Sequence, residues 1–328
     1  MKIEPLDPAS ERDLADAAAI ETAYCRAVLE PDEPARTVED FRARMRIGRT
    51  DCLAYAFLAR EGERPIGMSH VQIDTGRGNE HMAWMEDLYV LPEHRRKGVG
   101  RALLDENIAV ARAADRTLLI SAYAQGDGDG AAFADAIGCR FANTERQNRA
   151  LTAGLDRSML ESWRADAPAG YSLVQYSGRC PDDLVERYVA AEHSMNDAPR
   201  TESLGDFTYT VASKRLGEAE LETESAVAWF AGAIHDDTGE LAGFTELIHR
   251  DRRPWIIEQE DTVVVPAHRG HAIGRWLKAV NALRLLDEQP EVRVIETWND
   301  GSNKWMLAIN DAMGFRPVVT WIEAELDL

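Results

Sequence analysis

The sequence predicts an α/β protein of two tandem domains, each a central mixed β-sheet flanked by helices. Three observations predict it. First, "VLPEHRRKGVGRALL" (90–104) and "VVPAHRGHAIGRWLK" (264–278) are one phrase written twice. Each runs a β-branched strand end through a proline and a cation-rich loop into an apolar 3.6-residue period. Second, the correspondence extends to both sides. An offset of 174 sets Val90 on Val264, Arg95 on Arg269, Gly98 on Ala272, Gly100 on Gly274 and Arg101 on Arg275. An offset of 176 sets "PIGMSHV" (65–71) over "LAGFTEL" (241–247) and "ADAIGCRF" (134–141) over "NDAMGFRP" (310–317). A match this long is a duplicated domain, and its period is far too long for a solenoid. Third, strands alternate with helices but include a hairpin, which calls for a mixed sheet.

The second copy shows the element order most clearly. "YSLVQYS" (171–177) is an early strand, and "PDDLVERYVAAEHSM" (181–195) follows as a helix. "AVAWFAGAIHDDTGELAGFTELI" (226–248) folds as a hairpin about the turn "DDTGE". "WIIEQEDTVVV" (255–265) is the strand before the loop, and "AIGRWLKAVNALRLL" (272–286) the helix after it. "VRVIETW" (292–298), "NKWMLAINDAM" (303–313) and "FRPVVTWIEAEL" (315–326) complete the copy as strand, short helix and closing strand. The Pro, Ala and Gly of "ESWRADAPAG" (161–170) read as a linker, which divides the chain into domains 1–165 and 166–328.

Composition narrows the function. With 328 residues, 45% apolar and 29% charged, the chain has material for two cores. A formal charge of -20 disfavours nucleic acid, favours a cationic small molecule, and also serves simple solubility. The apolar runs are too short for a membrane span and the first residues lack a signal-peptide core, so a cytoplasmic protein is expected. Cys25, Cys52, Cys139 and Cys180 lie far apart without a CxxC pair, so they read as reduced thiols.

Both repeated loops put cations at a helix start, where the macrodipole favours negative charge. A bound anion resolves that conflict. In "RRKGVG" (95–100) missing side chains let backbone N–H groups approach phosphate oxygens. The loop lacks the Lys-Ser/Thr of a P-loop and the glycine spacing of a dinucleotide-binding turn. His268 and His271 have no third ligand nearby, so no metal is expected and a phosphate role fits them better.

"LYVLPEHRRKGVGRALL" resembles motif A of the GNAT superfamily of acyl-CoA-dependent N-acyltransferases, Arg/Gln-x-x-Gly-x-Gly/Ala between strand and helix. "NKWMLAINDAMGF" is similar to a second family pattern at Asn303, Gly314 and Phe315. The likeness covers nearly all of both copies, as in tandem members of the mycothiol-synthase type. It implies acetyl-CoA as cosubstrate, its pyrophosphate held in the loops. The implied contacts are Leu88, Val90, Arg95, Arg96, Lys97, Gly98, Val99, Gly100 and Arg101 in the first copy. In the second they are Val263, Val264, Val265, Arg269, Gly270, His271, Ala272, Ile273, Gly274 and Arg275, with Asn299, Asn303 and Met306 beyond the loop.

The copies depart from the family in different places. The first keeps both glycines but has Asp127 and Ala134 where the second pattern has Asn and Tyr. The second has Ala272 for the first glycine and keeps Asn303, with Asn310 at the Tyr position. The chemistry is therefore expected in the second copy, with the first a phosphate cradle. In the family a carboxylate six residues before the strand's last Val takes the amine proton; that residue is Glu258 in the second copy and Trp84 in the first. Alternation puts Glu258, Glu260 and Thr262 on one face, which makes Glu260 a fallback base, and Glu296 is a third candidate. Asn310 is expected to donate a hydrogen bond to the departing sulfur. Met195, Asn196 and Asp197 are candidates for the acceptor pocket, and a capped turn explains them as well. Trp298, Trp305 and Met306 either touch the pantetheine arm or belong to the core. The expected activity is acetyl transfer to a primary amine by a monomer or homodimer; the alternative is a catalytically idle acyl-CoA-binding or scaffold protein.

Overall fold

The computed structural model describes residues 1–29, 33–45, 52–76 and 78–328. The first repeat runs β1 (Lys2–Pro5), α1 (Glu11–Val28), α2 (Val38–Arg44), β2 (Cys52–Glu61), β3 (Arg64–Asp74), β4 (Met82–Val90), α3 (Val99–Ala113), β5 (Leu118–Ala124), α4 (Gly128–Ile137) and β6 (Arg140–Leu151). After α5 (Arg157–Ala165), the second runs β7 (Tyr171–Ser177), α6 (Val185–Glu192), α7 (Val211–Thr223), β8 (Ala226–His235), β9 (Leu241–Arg250), β10 (Ile256–Val264), α8 (Ile273–Glu288), β11 (Val294–Asp300), α9 (Lys304–Ala312) and β12 (Arg316–Asp327).

The chain forms two compact units whose limits are not a single cut. One comprises Met1–Glu145, Thr201–Asp206 and Val319–Leu328; the other comprises Arg146–Arg200 and Phe207–Val318. The 165/166 boundary of the repeats therefore does not coincide with the limits of the units. Half of the expected linker is helix. Asp156 accepts the Met159 N–H and starts α5, and Leu160 is fully buried in a core with Leu247, Ile257 and Leu283. An apolar stripe outweighs the Ala and Pro that follow it.

In the first unit the strand order is β1-β2-β3-β4-β5-β12, followed by the first half of β6. In the second it is the last residues of β6, then β11-β10-β9-β8-β7. Each sheet thus takes in the final strand of the other repeat. β12 pairs antiparallel with β5 from Trp321 opposite Ala124 to Asp327 opposite Leu118. In the second unit, Gln147 and Arg149 of β6 bond Glu296 of β11. The repeat predicts which strands exist, but alternation carries no address for a partner strand.

Helices cover the sheets with apolar faces. Leu103 and Leu104 of α3 and Leu277, Leu283 and Leu285 of α8 are essentially buried. Each such side chain contributes about 1.5–3 kcal/mol of burial. α7, a helix the sequence left unspecified, is opened by a reciprocal Thr210–Ser213 cap.

Two features position the sites. β4 pairs in parallel with β5 only from Met82 to Trp84, and β10 with β11 only from Ile256 to Glu258; beyond these the described pairing stops. At the same place each strand carries a bulge. Opposite β9 the register slips between Gln259 and Thr262, so Glu260 and Asp261 together face Glu246. Opposite β3 it slips between His70 and Val71, leaving Glu86 as the extra residue. A bulge breaks side-chain alternation, so Glu258, Glu260 and Thr262 do not share one continuous face.

Candidate active site

The two loops have the same backbone. After a single 3-10 turn, Arg96 and Gly98 in the first unit and Gly270 and Ala272 in the second adopt positive φ (59°, 84°, 87° and 62°). Each loop thus places one non-glycine residue in the left-handed region, at a cost of about 1–2 kcal/mol. Ala272 consequently keeps the loop's shape where its sequence departs from the family. Arg95 Nε donates to the Val90 carbonyl and Arg269 Nε to the Val264 carbonyl, both at 3.0 Å. These arginines hold the loop to its own strand, and their other nitrogens pair with Asp129 and Asp197.

The first turns of α3 and α8 have neither a side-chain cap nor an acidic residue, unlike α1, α2, α5 and α9, which all have caps. Their N–H groups are available to an anion, and the helix dipole favours one. A Cβ at Gly98 would meet nothing within 4 Å, and one at Gly274 would stand 3.7–3.9 Å from Val264, Ile309 and Thr262. Backbone, space and charge at both helix starts fit a phosphate group. Val99, Val263 and Ile273 are buried, so at the helix starts it is the backbone of Val99 and Ile273 that faces an anion. Arg101 pairs with Asp105 and Arg275 with Asp166 on the exposed surface. Lys97 Nζ donates to the Glu93 carbonyl.

His268 does not face the loop's anion site. It is buried, its Nδ1 lies 3.0 Å from the Tyr171 hydroxyl, and Glu240 lies 3.6 Å from Nε2. His271 stays exposed. No cluster of potential metal ligands occurs among the described residues.

The three carboxylates proposed as bases differ sharply. Glu258 is half-buried and paired with Arg250, with Arg253 4.0 Å away. Arg250 in turn bonds Glu224. Glu296 is buried and accepts hydrogen bonds from Gln147 and Arg149. Glu260, on the bulge just past the last β10–β11 pair, is exposed, and no ion pair engages its carboxylate among the described residues. The protein surrounding it, followed by Glu258 and Asp261, raises its pKa to about 8, with Arg250 opposing.

The bulge also revises the comparison of the copies. Counting from the strand end pairs Glu258 with Trp84, whereas the bulged residue Glu260 pairs with Glu86, so both copies carry a carboxylate there. The neighbouring groups differ. In the first unit burial raises the Asp87 pKa, but Arg44 and then His70 outweigh it and hold that carboxylate below the usual range.

Asn310, expected to face the leaving sulfur, is 1% exposed. Its Oδ1 accepts from Lys278 Nζ at 3.0 Å and its Nδ2 donates to Asn299 at 2.8 Å. Sequence reasoning missed Lys278, a buried amine whose pKa is lowered to about 7 by burial. The signal was present: Lys278 stands where the first copy has Leu104, as Asn310 stands where it has Ala134. Asn303 caps α9 by accepting the Met306 N–H, and Asp127 caps α4 in the same way. Met306 is half-buried, while Trp298 and Trp305 are 38% and 77% exposed.

The expected acceptor residues are tied up. Met195 packs on the core of the second unit. Asn196 bonds both the N–H and the carbonyl of Phe207, and Asp197 holds Arg269. Beside the bulge, Glu246 of β9 lies opposite Glu260 and Asp261 of β10 and accepts hydrogen bonds from Tyr188 of α6 and Lys214 of α7.

A parallel strand pair that parts beside a bulge, with an uncapped glycine-loop helix at its end, is an arrangement suited to an anionic ligand, and it occurs in both units. The Acetyltransferase (GNAT) family matches residues 17–131. Mycothiol acetyltransferases of Clavibacter sepedonicus and Clavibacter michiganensis subsp. michiganensis are 33% and 30% identical over 163 and 229 residues. Those stretches cover 48% and 67% of this chain, and 46% and 66% of the relatives' own length. A tandem GNAT protein from the clavulanic acid biosynthesis pathway superposes with a TM-score of 0.81 at 27% identity, over 99% of this chain and 98% of that one. A GCN5-related N-acetyltransferase from Sphaerobacter thermophilus shares the fold at 13% identity and a TM-score of 0.70, over 99% of this chain and 95% of that one. The chain belongs to the GNAT acetyltransferase family, as a tandem member with two copies of the domain.

Proposed function

We propose that the second unit transfers an acetyl group from acetyl-CoA to a primary amine of a small cationic acceptor, with Glu260 as base. The observation that supports this most is the state of Glu260: at the bulge, unpaired among the described residues, and raised to about 8. A base serves best with a pKa near the working pH, and an ordinary carboxylate near about 4.3 is too weak for an ammonium. Glu258, two residues back on the same strand and paired with Arg250, helps raise the Glu260 pKa through its charge.

Acetyl-CoA supplies the activated acyl group as a thioester. The uncapped N–H groups from Gly270 to Gly274 would hold its pyrophosphate. Glu246, Glu260 and Asp261 attract a cationic amine, and Glu260 takes its proton so that nitrogen attacks neutral. Asn310 is committed to Lys278 and Asn299, so no protein acid is assigned to the sulfur. A thiol with a pKa near about 8.5 leaves as thiolate without one. The first unit supports the fold and binds acyl-CoA in its own cradle. The protein works in the cytoplasm as a monomer or homodimer, with no nucleic acid or membrane partner and no metal; no helix of the described residues is long and apolar enough to cross a membrane.

The sealed position of Asn310 favours a second reading, an idle acyl-CoA-binding protein. Thiol release over a panel of amines separates the two. Acceptor-dependent release from acetyl-CoA is the expected result; acetyl-CoA binding without it supports the idle protein.

A further inference from the structure

Directly opposite the bulge, a lysine of the protein sits as a small amine would. Lys214, from the first turn of α7, places Nζ 3.8 Å from the centroid of the Tyr188 ring. The same nitrogen donates to Glu246 Oε1 at 3.1 Å, while the Tyr188 hydroxyl donates to Glu246 Oε2 at 3.0 Å. Tyr188 is held rigid, stacked on Phe244 with centroids 4.7 Å apart. A carboxylate beside an aromatic face is a seat for an ammonium group. Glu246 faces Glu260 and Asp261 across the strand pair, so the seat adjoins the proposed base.

Lys214 fills this seat loosely. An ammonium has three donors, and among the described residues one hydrogen bond is made. The first unit offers a contrast: its second helix sends Arg44 against two carboxylates, Glu21 at 2.6 Å and Asp87 at 3.1 Å. A guanidinium shared by two carboxylates is a fixed strut, whereas an ammonium on one carboxylate and one ring is exchangeable. Lys214 is 12% exposed at its side chain, so solvent reaches it.

We infer that the acceptor carries a second ammonium group and that Tyr188 and Glu246 form its seat, which Lys214 occupies until the acceptor displaces it. This rests on the second unit being the transfer site. The reacting amine then lies toward Glu260 and the second ammonium toward Tyr188. An occupant that fills the seat nine-tenths of the time weakens a competitor about tenfold.

The test is calorimetric binding of putrescine and cadaverine against butylamine and pentylamine, which needs no turnover. Lys214→Met is expected to raise the diamine-to-monoamine affinity ratio about tenfold, and adding Glu246→Gln to remove the gain. Where Lys214→Met does not fold, Glu246→Gln alone is expected to lower the ratio. A ratio unmoved in the folded variants, or equal shifts for both kinds of amine, overturns the inference and leaves Lys214 a structural strut. Diamine preference without thiol release upholds the seat and removes the transferase reading; thiol release without the preference does the reverse.

Discussion

Glu258 and Glu260 are two residues apart on one strand, yet one is paired with Arg250 and the other stands among like charges, Glu258 included. The difference between the two carboxylates lies in their neighbours, which spacing in a sequence does not list. Lys278 shows the same dependence. Its pKa is about 7 in the folded chain against 10.5 for a free lysine, so between those values the unfolded chain holds a proton that the native chain refuses. Its contribution to stability therefore rises with pH across that window and is flat below it. Lys278→Leu is expected to remove this rise, measured as Tm from pH 7 to pH 10. Lys278→Leu alone leaves the Asn310 carbonyl oxygen buried without its donor. The double change Lys278→Leu with Asn310→Ala, which installs the residue types of the first copy, is expected to cost at least about 1 kcal/mol less than the sum of the single changes. Strict additivity would mean that the pair is not coupled.

At the level of elements, the strand, loop and helix of each cradle were readable because glycine, proline and a 3.6-residue period carry direct backbone meaning. The bulge was not, since one extra residue leaves no mark in composition, so the break in alternation between Glu258 and Thr262 could not be foreseen. The caps were half readable: Asn303 was seen as a family residue, but its role at the start of α9 needed the helix itself. The open helix starts make a prediction about binding. Gly274→Glu puts an acid at an acid-free N-terminus, but the position is buried and its Cβ stands 3.7–3.9 Å from Val264, Ile309 and Thr262, so Tm is expected to fall modestly. The same carboxylate occupies the anion's place, so acetyl-CoA affinity and turnover of the second unit are expected to fall. Gly100→Glu is expected to reduce acetyl-CoA occupancy in the first unit while most turnover persists. Loss of turnover in Gly100→Glu alone, with the fold intact, would assign catalysis to the first unit.

For the whole molecule, the duplication was plain from the sequence, but the exchange of closing strands was hidden. Alternating strands such as "FRPVVTWIEAEL" pair equally well with either sheet until tertiary packing chooses. The exchange has a direct consequence. Removing residues 319–328 deletes the end of the second repeat but strips the strand beside β5 in the first unit. Buried Glu325, which accepts from Thr201 and Ser203 and pairs with Arg140, goes with it. Hydrogen exchange is expected to show lost protection in Leu118–Ala124, with β8 and β9 far less affected. The reverse pattern would contradict the exchanged arrangement.

The central claim is that Glu260 removes the acceptor's proton, and the pH profile of kcat/KM for thiol release by Glu260→Gln against wild type tests it most directly. The wild-type rate is expected to climb through a pKa near 8 as Glu260 loses its proton. In the variant, acetyl-CoA affinity persists, and kcat/KM falls by roughly 10²-fold or more at neutral pH. The deficit then narrows as rising pH delivers more of the amine already neutral. A wild-type rate in the variant, or a deficit that does not change with pH, would contradict the account.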